Sequence, residues 1–289
     1  MLAMVGSMAA YSVSDALTKL AAKTLPLGEV LAVRGIFTVM LIGSLLMLLG
    51  QMRHLRAAMT PLVLCRSAFD ALSSGCYVTA LIHMRVAEVG SVMMVVPLIL
   101  TALSVIVYAE NVGWRRWGAV ILGFVGVLFI VKPTPGAFNA WAIVALVGAT
   151  FSASREILTR RIHTSMPTLV ITFISVTLLT VVGAALGAAE QWSVPGWTEI
   201  AYLGVAACFY SLATHLTVVA FRGVTVSTVA PFRYSFLIFA GIAGFVVFRE
   251  LPDGWSVFGA SLIVASGLYA LHRETVRRRE LTATAPTAQ

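Results

Sequence analysis

Short polar punctuation cuts this chain into roughly ten apolar blocks, each about the ~20 residues an α-helix needs to cross a bilayer. Inside hydrocarbon the backbone must satisfy its own polar groups, so blocks of this length and composition are helices and the chain is an all-α integral membrane protein. Hydrophobic residues make up 59% of the 289 and charged residues 11%. After about ten spans and their loops nothing remains for a soluble domain. The pattern predicts spans over 2–22, 27–49, 62–82, 89–108 and 114–131, then over 140–158, 168–188, 200–220, 226–248 and 254–271. The first block lacks a basic leader and a convincing cleavage site, so it reads as a retained helix and not a signal peptide. The expected organisation is one ten-helix transmembrane domain over 1–272, followed by a basic, disordered cytoplasmic tail over 273–289.

The net charge of +8 would suggest nucleic acid in a soluble protein. Here the basic residues fall in loops and at helix ends, where they orient the chain and meet anionic headgroups, so membrane lipids are the expected partner and nucleic acid is not. With the N-terminus inside, Arg53, Arg56, Arg115, Arg116, Arg160, Arg161, Arg222 and the tail arginines share one side, leaving Lys23, Arg85, Lys132 and Arg249 on the other. The positive-inside rule then places both termini in the cytoplasm of a multi-pass protein of the inner (plasma) membrane. All six tryptophans, Trp114, Trp117, Trp141, Trp192, Trp197 and Trp255, fall near predicted helix ends, as an interfacial belt requires. Cys65, Cys76 and Cys208 share no CxxC or Cys/His spacing, so they read as small core residues, with no disulfide, metal or cofactor implied.

The chain also looks duplicated. Glu110, Trp114, Gly118 and Gly126 are echoed by Glu250, Trp255, Gly259 and Gly267, and Tyr11-Ser-Val-Ser14 by Phe151-Ser-Ala-Ser154. This predicts a first repeat over 1–133 and a second over 138–272. With about five spans each, the second copy enters the membrane from the opposite side, and such inverted repeats are typical of secondary transporters with a site near the midplane.

The run Ser14-Asp-Ala-Leu-Thr-Lys19, then Val33-Arg34, Cys65-Arg-Ser-Ala-Phe-Asp-Ala-Leu72, Pro97, Glu110 and Arg115-Arg-Trp-Gly118 resembles the EamA family of the drug/metabolite transporter superfamily. In the second half, Ala230-Pro-Phe-Arg-Tyr234 and Phe248-Arg-Glu-Leu-Pro252 resemble the matching family segments. The resemblance covers essentially the whole chain. It implies a ten-helix carrier, both termini inside, that moves amino acids, other metabolites or drugs, very often outward. In one departure, Leu237 takes the register of Pro97, and Pro231 lies earlier in its helix.

Ionisable side chains at membrane depth are costly, so each is a functional candidate. Asp15, Lys19 and Arg34 lie nearer the outer face; Arg66, Asp70, Arg155, Glu156, His215 and Arg233 lie nearer the inner face. The grouping predicts a gate on each side. Asp15 with Lys19 and Arg66 with Asp70 are spaced i,i+4 and can pair along one helix face, which is also the purely structural alternative. Asp15 aligns with Arg155 in the repeat, so inverted symmetry sets opposite charges at related heights in opposite halves.

Arg233 with Tyr234 is the leading candidate for substrate contact, since a guanidinium fork suits a carboxylate or phosphate. The alternative is a salt bridge from Arg233 to Asp70 or Glu156. His215 could couple transport to protons or simply make an interhelical hydrogen bond. Tyr11, Tyr77 and Tyr210 are candidates to line a cavity or to fill the core. Pro97 and Pro231 break backbone hydrogen bonds and are candidate hinges. Glu110 and Glu250 read as carboxylates complementing helix starts. Gly118, Gly123, Gly126, Gly183 and Gly187 offer small-residue surfaces for helix packing or for a homodimer.

An intramembrane enzyme would need a compact group such as HExxH, or GxSxG with a partner His, and neither is present in the sequence. The reading is therefore a secondary transporter of a small-molecule substrate, an amino acid or related carboxylate-bearing compound first and a cationic drug second, with a channel or receptor as the remaining alternative. Energy coupling stays open between protons, exchange and facilitated diffusion.

Overall fold

A computed structural model describes residues 1–108, 113–132, 138–159, 161–162, 166–221 and 229–284. All regular structure among the described residues is helical. The first part of the chain forms α1 (Leu2–Ala21), α2 (Leu27–Leu48), α3 (Pro61–His83), α4 (Val86–Met93), α5 (Val96–Tyr108) and α6 (Trp114–Val131). There follow α7 (Ala140–Thr159), α8 (Thr168–Gly187), α9 (Trp197–Phe221), a 3-10 turn (Ala230–Tyr234), α10 (Ser235–Phe248) and α11 (Gly254–Thr284). Seven helical stretches are long and apolar enough to cross a membrane, among them Val86–Tyr108, which joins α4 to α5. The α1 and α3 helices are not among the seven, because they carry Asp15, Lys19, Arg66, Asp70 and several Ser and Thr.

Local chemistry sets the helix starts. Pro26 and Pro167 sit at the N-caps of α2 and α8, and α3 opens with Thr60 accepting the Val63 N–H in front of Pro61. The fourth span is interrupted at Met94 and Val95, because Pro97 has no N–H to return to the Met93 carbonyl and the Val95 and Leu98 amides close tighter turns instead. Pro231 lies in the 3-10 turn that leads into α10. Both prolines therefore mark breaks in apolar stretches.

Packing runs mainly between the two halves of the chain. The strongest pairings are α1 with α9, α2 with α8, α3 with α7, and α6 with α11; α3 also meets α8, α2 meets α9, α1 meets α10, and α7 meets α4 and α5. Close approach explains the glycines. A Cβ on Gly126 would lie 2.7 Å from the Gly259 carbonyl oxygen, and one on Gly259 would lie 2.5 Å from that of Gly126. The duplicated glycines thus meet each other at the α6/α11 crossing. Gly183 and Gly187 face Leu31 and Trp192 within the chain, while Gly118 faces open space.

Several expectations are revised. The polar stretch after Leu271, expected as a disordered tail, continues as helix to Thr284. It carries four Arg and two Glu and lacks Gly and Pro until Pro286, so nothing in it breaks the helix. Cys65 and Cys208 are exposed on helix surfaces and not in the core, since a thiol is apolar enough to face lipid; Cys76 is half-buried. The six tryptophans are all exposed at or near helix ends. Glu110 and Arg222 lie outside the described residues.

Gly126→Ala is expected to force α6 from α11 and cost about 1–3 kcal/mol as overpacking, read as a lower melting temperature in detergent. Gly118→Ala, whose Cβ would meet nothing within 4 Å, should be neutral or gain up to about 1 kcal/mol of helix propensity. Equal melting temperatures for the two variants would contradict the crossing.

Candidate functional site

Charged groups collect at both ends of the bundle, with a polar and aromatic layer between them. At one end Lys19, 8% exposed, donates to the Met84 carbonyl at 2.7 Å and to Glu250 Oε1 at 2.9 Å. Its ammonium also lies 4.9 Å from the Phe248 ring centroid. Met84 caps the C-terminus of α3, where a cation complements the helix dipole. The Asp15–Lys19 couple suggested by their spacing is therefore not formed. Lys19 is long enough to reach acceptors on other segments, while an Asp15 oxygen is taken by Tyr77. Glu250 serves as the ion-pair partner of Lys19.

A second group at the same end joins Lys132 to Asp253 at 2.9 Å and Arg85 to Asp253 at 3.5 Å and Glu88 at 3.3 Å. The Ser256 hydroxyl lies 2.6 Å from Asp253 Oδ1 and 2.9 Å from Glu88 Oε1 and can donate its one proton to either carboxylate. Burial pushes the Asp253 carboxyl up, but the Ser256 hydroxyl and the Lys132 ammonium outweigh it and hold the pKa below the usual carboxylate range. Sequence reasoning missed this group. The Pro252-Asp253 pair just before an apolar block, with Ser256 three residues on, carried the signal of a helix N-cap.

In the middle layer Asp15, 6% exposed, accepts from the Tyr77 hydroxyl at 2.5 Å. Arg34, equally buried, donates to Thr18 Oγ1 at 3.1 Å and lies 5.5 Å from the Tyr210 ring centroid. Tyr210 meets Tyr11 edge-on, and the Tyr11 hydroxyl pairs with Thr214 at 3.2 Å. Five residues singled out in the sequence, Tyr11, Asp15, Arg34, Tyr77 and Tyr210, thus lie in one buried polar and aromatic layer drawn from α1, α2, α3 and α9. Arg34 is within electrostatic reach of Asp15 but hydrogen-bonds the neighbouring threonine.

At the other end Asp70 joins two guanidiniums, Arg66 of its own helix at 2.8 Å and Arg155 of α7 at 2.6 Å. Arg66 is further held by Ser175 at 2.6 Å and Thr159 at 3.3 Å. Glu156 sits 3.8 Å from both Arg155 and Arg233, too far for hydrogen bonds and so a looser electrostatic contact. Among the described residues of this cluster, three guanidiniums share two carboxylates. The cluster links α3 in the first half to α7 and the 3-10 turn in the second.

Arg233 and Tyr234 line a cavity of about 40 Å³ with Met93, Met94, Val96, Pro97 and Leu271. That volume holds no more than a few waters. Admission of a solute there requires the walls to separate. One residue expected in the site falls away from it: His215 is exposed on α9 in a stripe with Val205, Cys208, Leu212 and Val219. This spacing is the outward face of the helix, while Thr214 and Thr217 face α1.

The comparisons with known proteins agree with this architecture. A solved crystal structure superposes with a TM-score of 0.61 at 18% identity, covering 92% of this chain and 95% of that one, which supports the fold. An S-adenosylmethionine uptake transporter of Rickettsia bellii is 30% identical over 62% of this chain, and the match spans 61% of that relative. The pseudopaline exporter CntI of Pseudomonas aeruginosa strain UCBPP-PA14 is 28% identical over 89% of this chain and 90% of its own length. A riboflavin transporter of Vibrio cholerae is 30% identical over 65% of this chain and 63% of its own. The EamA-like transporter family profile matches residues 1–132 and again 139–271. A multi-pass membrane protein whose described regular structure is all helical, this chain belongs to the EamA-like transporter family.

Proposed function

We propose that the protein is a secondary carrier exporting an amino acid or related carboxylate-bearing metabolite across the inner membrane, working by alternating access between two inverted five-helix halves. Both termini lie in the cytoplasm in this reading, which makes the Asp70 end the inner end and the Lys19 end the outer. The observation that carries the substrate class is the imbalance at the inner end, where among the described residues Arg66, Arg155 and Arg233 share Asp70 and Glu156. A carboxylate arriving at Arg233, which among the described residues is held by a 3.8 Å contact to Glu156, balances the cluster and gains charge-assisted hydrogen bonds. A cationic drug is the weaker reading, since Asp70 and Glu156 already face arginines and Asp15 accepts from Tyr77.

The packing pattern supports the ten-span, two-copy architecture. Counting α4 with α5 as one span, exchange of each span with its counterpart five positions on turns the α1/α9 pairing into α7/α3. The same exchange turns α2/α9 into α8/α3 and α1/α10 into α7 with the fourth span, and leaves α2/α8 and α6/α11 unchanged. The two stretches matched by the family profile fall close to the proposed repeats. Ion pairs join the halves at both ends, through Lys19–Glu250 and Lys132–Asp253 outside and Asp70–Arg155 inside. Opening one end requires its own pairs to separate while the other set holds, and such alternation is the bistable behaviour that gating needs.

In proteoliposomes assayed by counterflow over a metabolite pool, Arg233→Ala should raise KM on the order of 10-fold or more, the worth of a hydrogen bond to a charged group. Asp15→Asn should slow turnover. Unchanged transport in both variants for every substrate found would refute the site.

The outer pairs predict a separate result. Because the Asp253 pKa is depressed, its contribution is complete above the unfolded-state value of about 3.9 and is lost as pH falls through the lower folded-state value. Asp253→Asn should therefore increase labelling of a cysteine placed in the middle layer by an impermeant reagent from outside at neutral pH, and wild type should approach that level only in strong acid. No difference between variant and wild type at pH 7 would contradict a gating role for the outer pairs.

A further inference from the structure

Glu156 stands apart from the tight pairs at the inner end. Both oxygens of Asp70 are committed, Oδ2 to Arg66 at 2.8 Å and Oδ1 to Arg155 Nη1 at 2.6 Å. Arg66 is fixed in turn by Ser175 of α8 and Thr159 of α7, so Asp70 cannot serve Arg233 without giving up a close contact. Among the described residues, Glu156 is therefore the carboxylate that faces Arg233. One of its oxygens, Oε1, lies 3.8 Å from Arg233 Nη1 and 3.8 Å from Arg155 Nη2. Neither distance is a hydrogen bond. The oxygen sits midway between two cations and is held closely by neither, while Arg155 spends its other terminal nitrogen on Asp70.

We propose that Glu156 is an internal competitor for Arg233: it occupies the anion position of the guanidinium while the carrier is empty, and yields it to the carboxylate of the substrate by passing to Arg155. This rests on the carboxylate reading of Arg233 and adds a determinant of affinity to it. Glu156 approaches Nη1, one of the two terminal nitrogens that an end-on guanidinium fork offers to a carboxylate. A ligand that takes both must displace Oε1. Displacement ordinarily strands a charge at membrane depth, which is costly. Here Arg155 Nη2 is already 3.8 Å away, so a small approach closes an Asp70–Arg155–Glu156 set while Arg233 turns to the ligand. A neutral ligand offers Arg233 less than Glu156 does and leaves the contact in place. Because Glu156 lies on α7 and Arg233 on the 3-10 turn, the exchange also releases an attachment between those elements.

The test uses three carboxylates with different tails, 4-methylpentanoate, 3-phenylpropanoate and succinate, each beside its neutral amide. Binding to the purified full-length protein in nanodiscs is measured by calorimetry for wild type, Glu156→Gln, Arg233→Ala and the double variant. The expected result is that Glu156→Gln binds one or more of the carboxylates about 2- to 5-fold tighter, the worth of a partly exposed ion pair, and leaves the amides unchanged. In the Arg233→Ala background the same change is expected to have no effect, because the contested guanidinium is gone. A gain of equal size in both backgrounds identifies simple repulsion between Glu156 and the ligand and overturns the competition. Unchanged or weaker carboxylate binding in Glu156→Gln, with binding weakened in Arg233→Ala, shows a ligand that does not contend with Glu156; it overturns the competition and leaves the carboxylate reading intact. Carboxylate binding that is indifferent to Arg233→Ala, or absent from every variant and wild type, overturns both readings. Glu156→Ala removes the same charge and serves as the second variant should Glu156→Gln fail to fold.

Discussion

A charge held within a bilayer needs a partner, and in this chain the decisive partners come from the other half. Lys19 is satisfied by Glu250 from 231 positions away and Asp70 by Arg155 from 85 positions away. The desolvation cost of burying either partner alone is several kcal/mol, so removing one member of a pair is strongly unfavourable even where the pair itself adds little net stability. The pairs also make the bundle separable. An ion pair can exchange protein contacts for water or substrate when its end of the molecule opens, whereas an interlocked apolar crossing such as Gly126 against Gly259 has no comparable alternative. In the proposed cycle the crossings such as Gly126 against Gly259 stay closed and the ion pairs at the ends separate.

Between those ends the layer is aromatic and hydroxylic, with one buried carboxylate and one buried guanidinium. Asp15 and Arg34 are both nearly inaccessible and are held by Tyr77 and Thr18, on separate helices from α1 to α3. Pro97 lines the cavity beside Arg233, and Pro231 lies in the 3-10 turn that carries Arg233.

The sequence made the helices legible because hydrocarbon permits so few alternatives, and most predicted spans agree with observed helices to within a few residues. Its ionisable residues were legible for the same reason. Asp15, Arg34, Asp70, Arg155 and Glu156 do lie in polar groupings, and Tyr11, Tyr77 and Tyr210 join them. Partners were harder to read. Spacing along one helix suggested Asp15 with Lys19, but a four-carbon stem reaches neighbouring segments as easily as the next turn, and Lys19 found Glu250. His215 was misplaced because a polar residue in an apolar block carries no mark of which face it occupies; the exposed stripe from Val205 to Val219 decides that only once the neighbouring helices are in place. Asp253 and Arg85 escaped notice as ordinary loop charges, since nothing in one sequence shows that two distant loops meet.

The central claim is that the cross-half pairs at the two ends open in turn. Pulsed electron resonance in nanodiscs, with one spin-label pair across the outer end near Lys132 and Asp253 and another across the inner end near Asp70 and Arg155, measures this directly. The account predicts two populations in which one distance lengthens while the other shortens, with substrate or membrane-side conditions shifting their ratio. Distances that stay fixed at both ends during turnover, or that lengthen together, would contradict it.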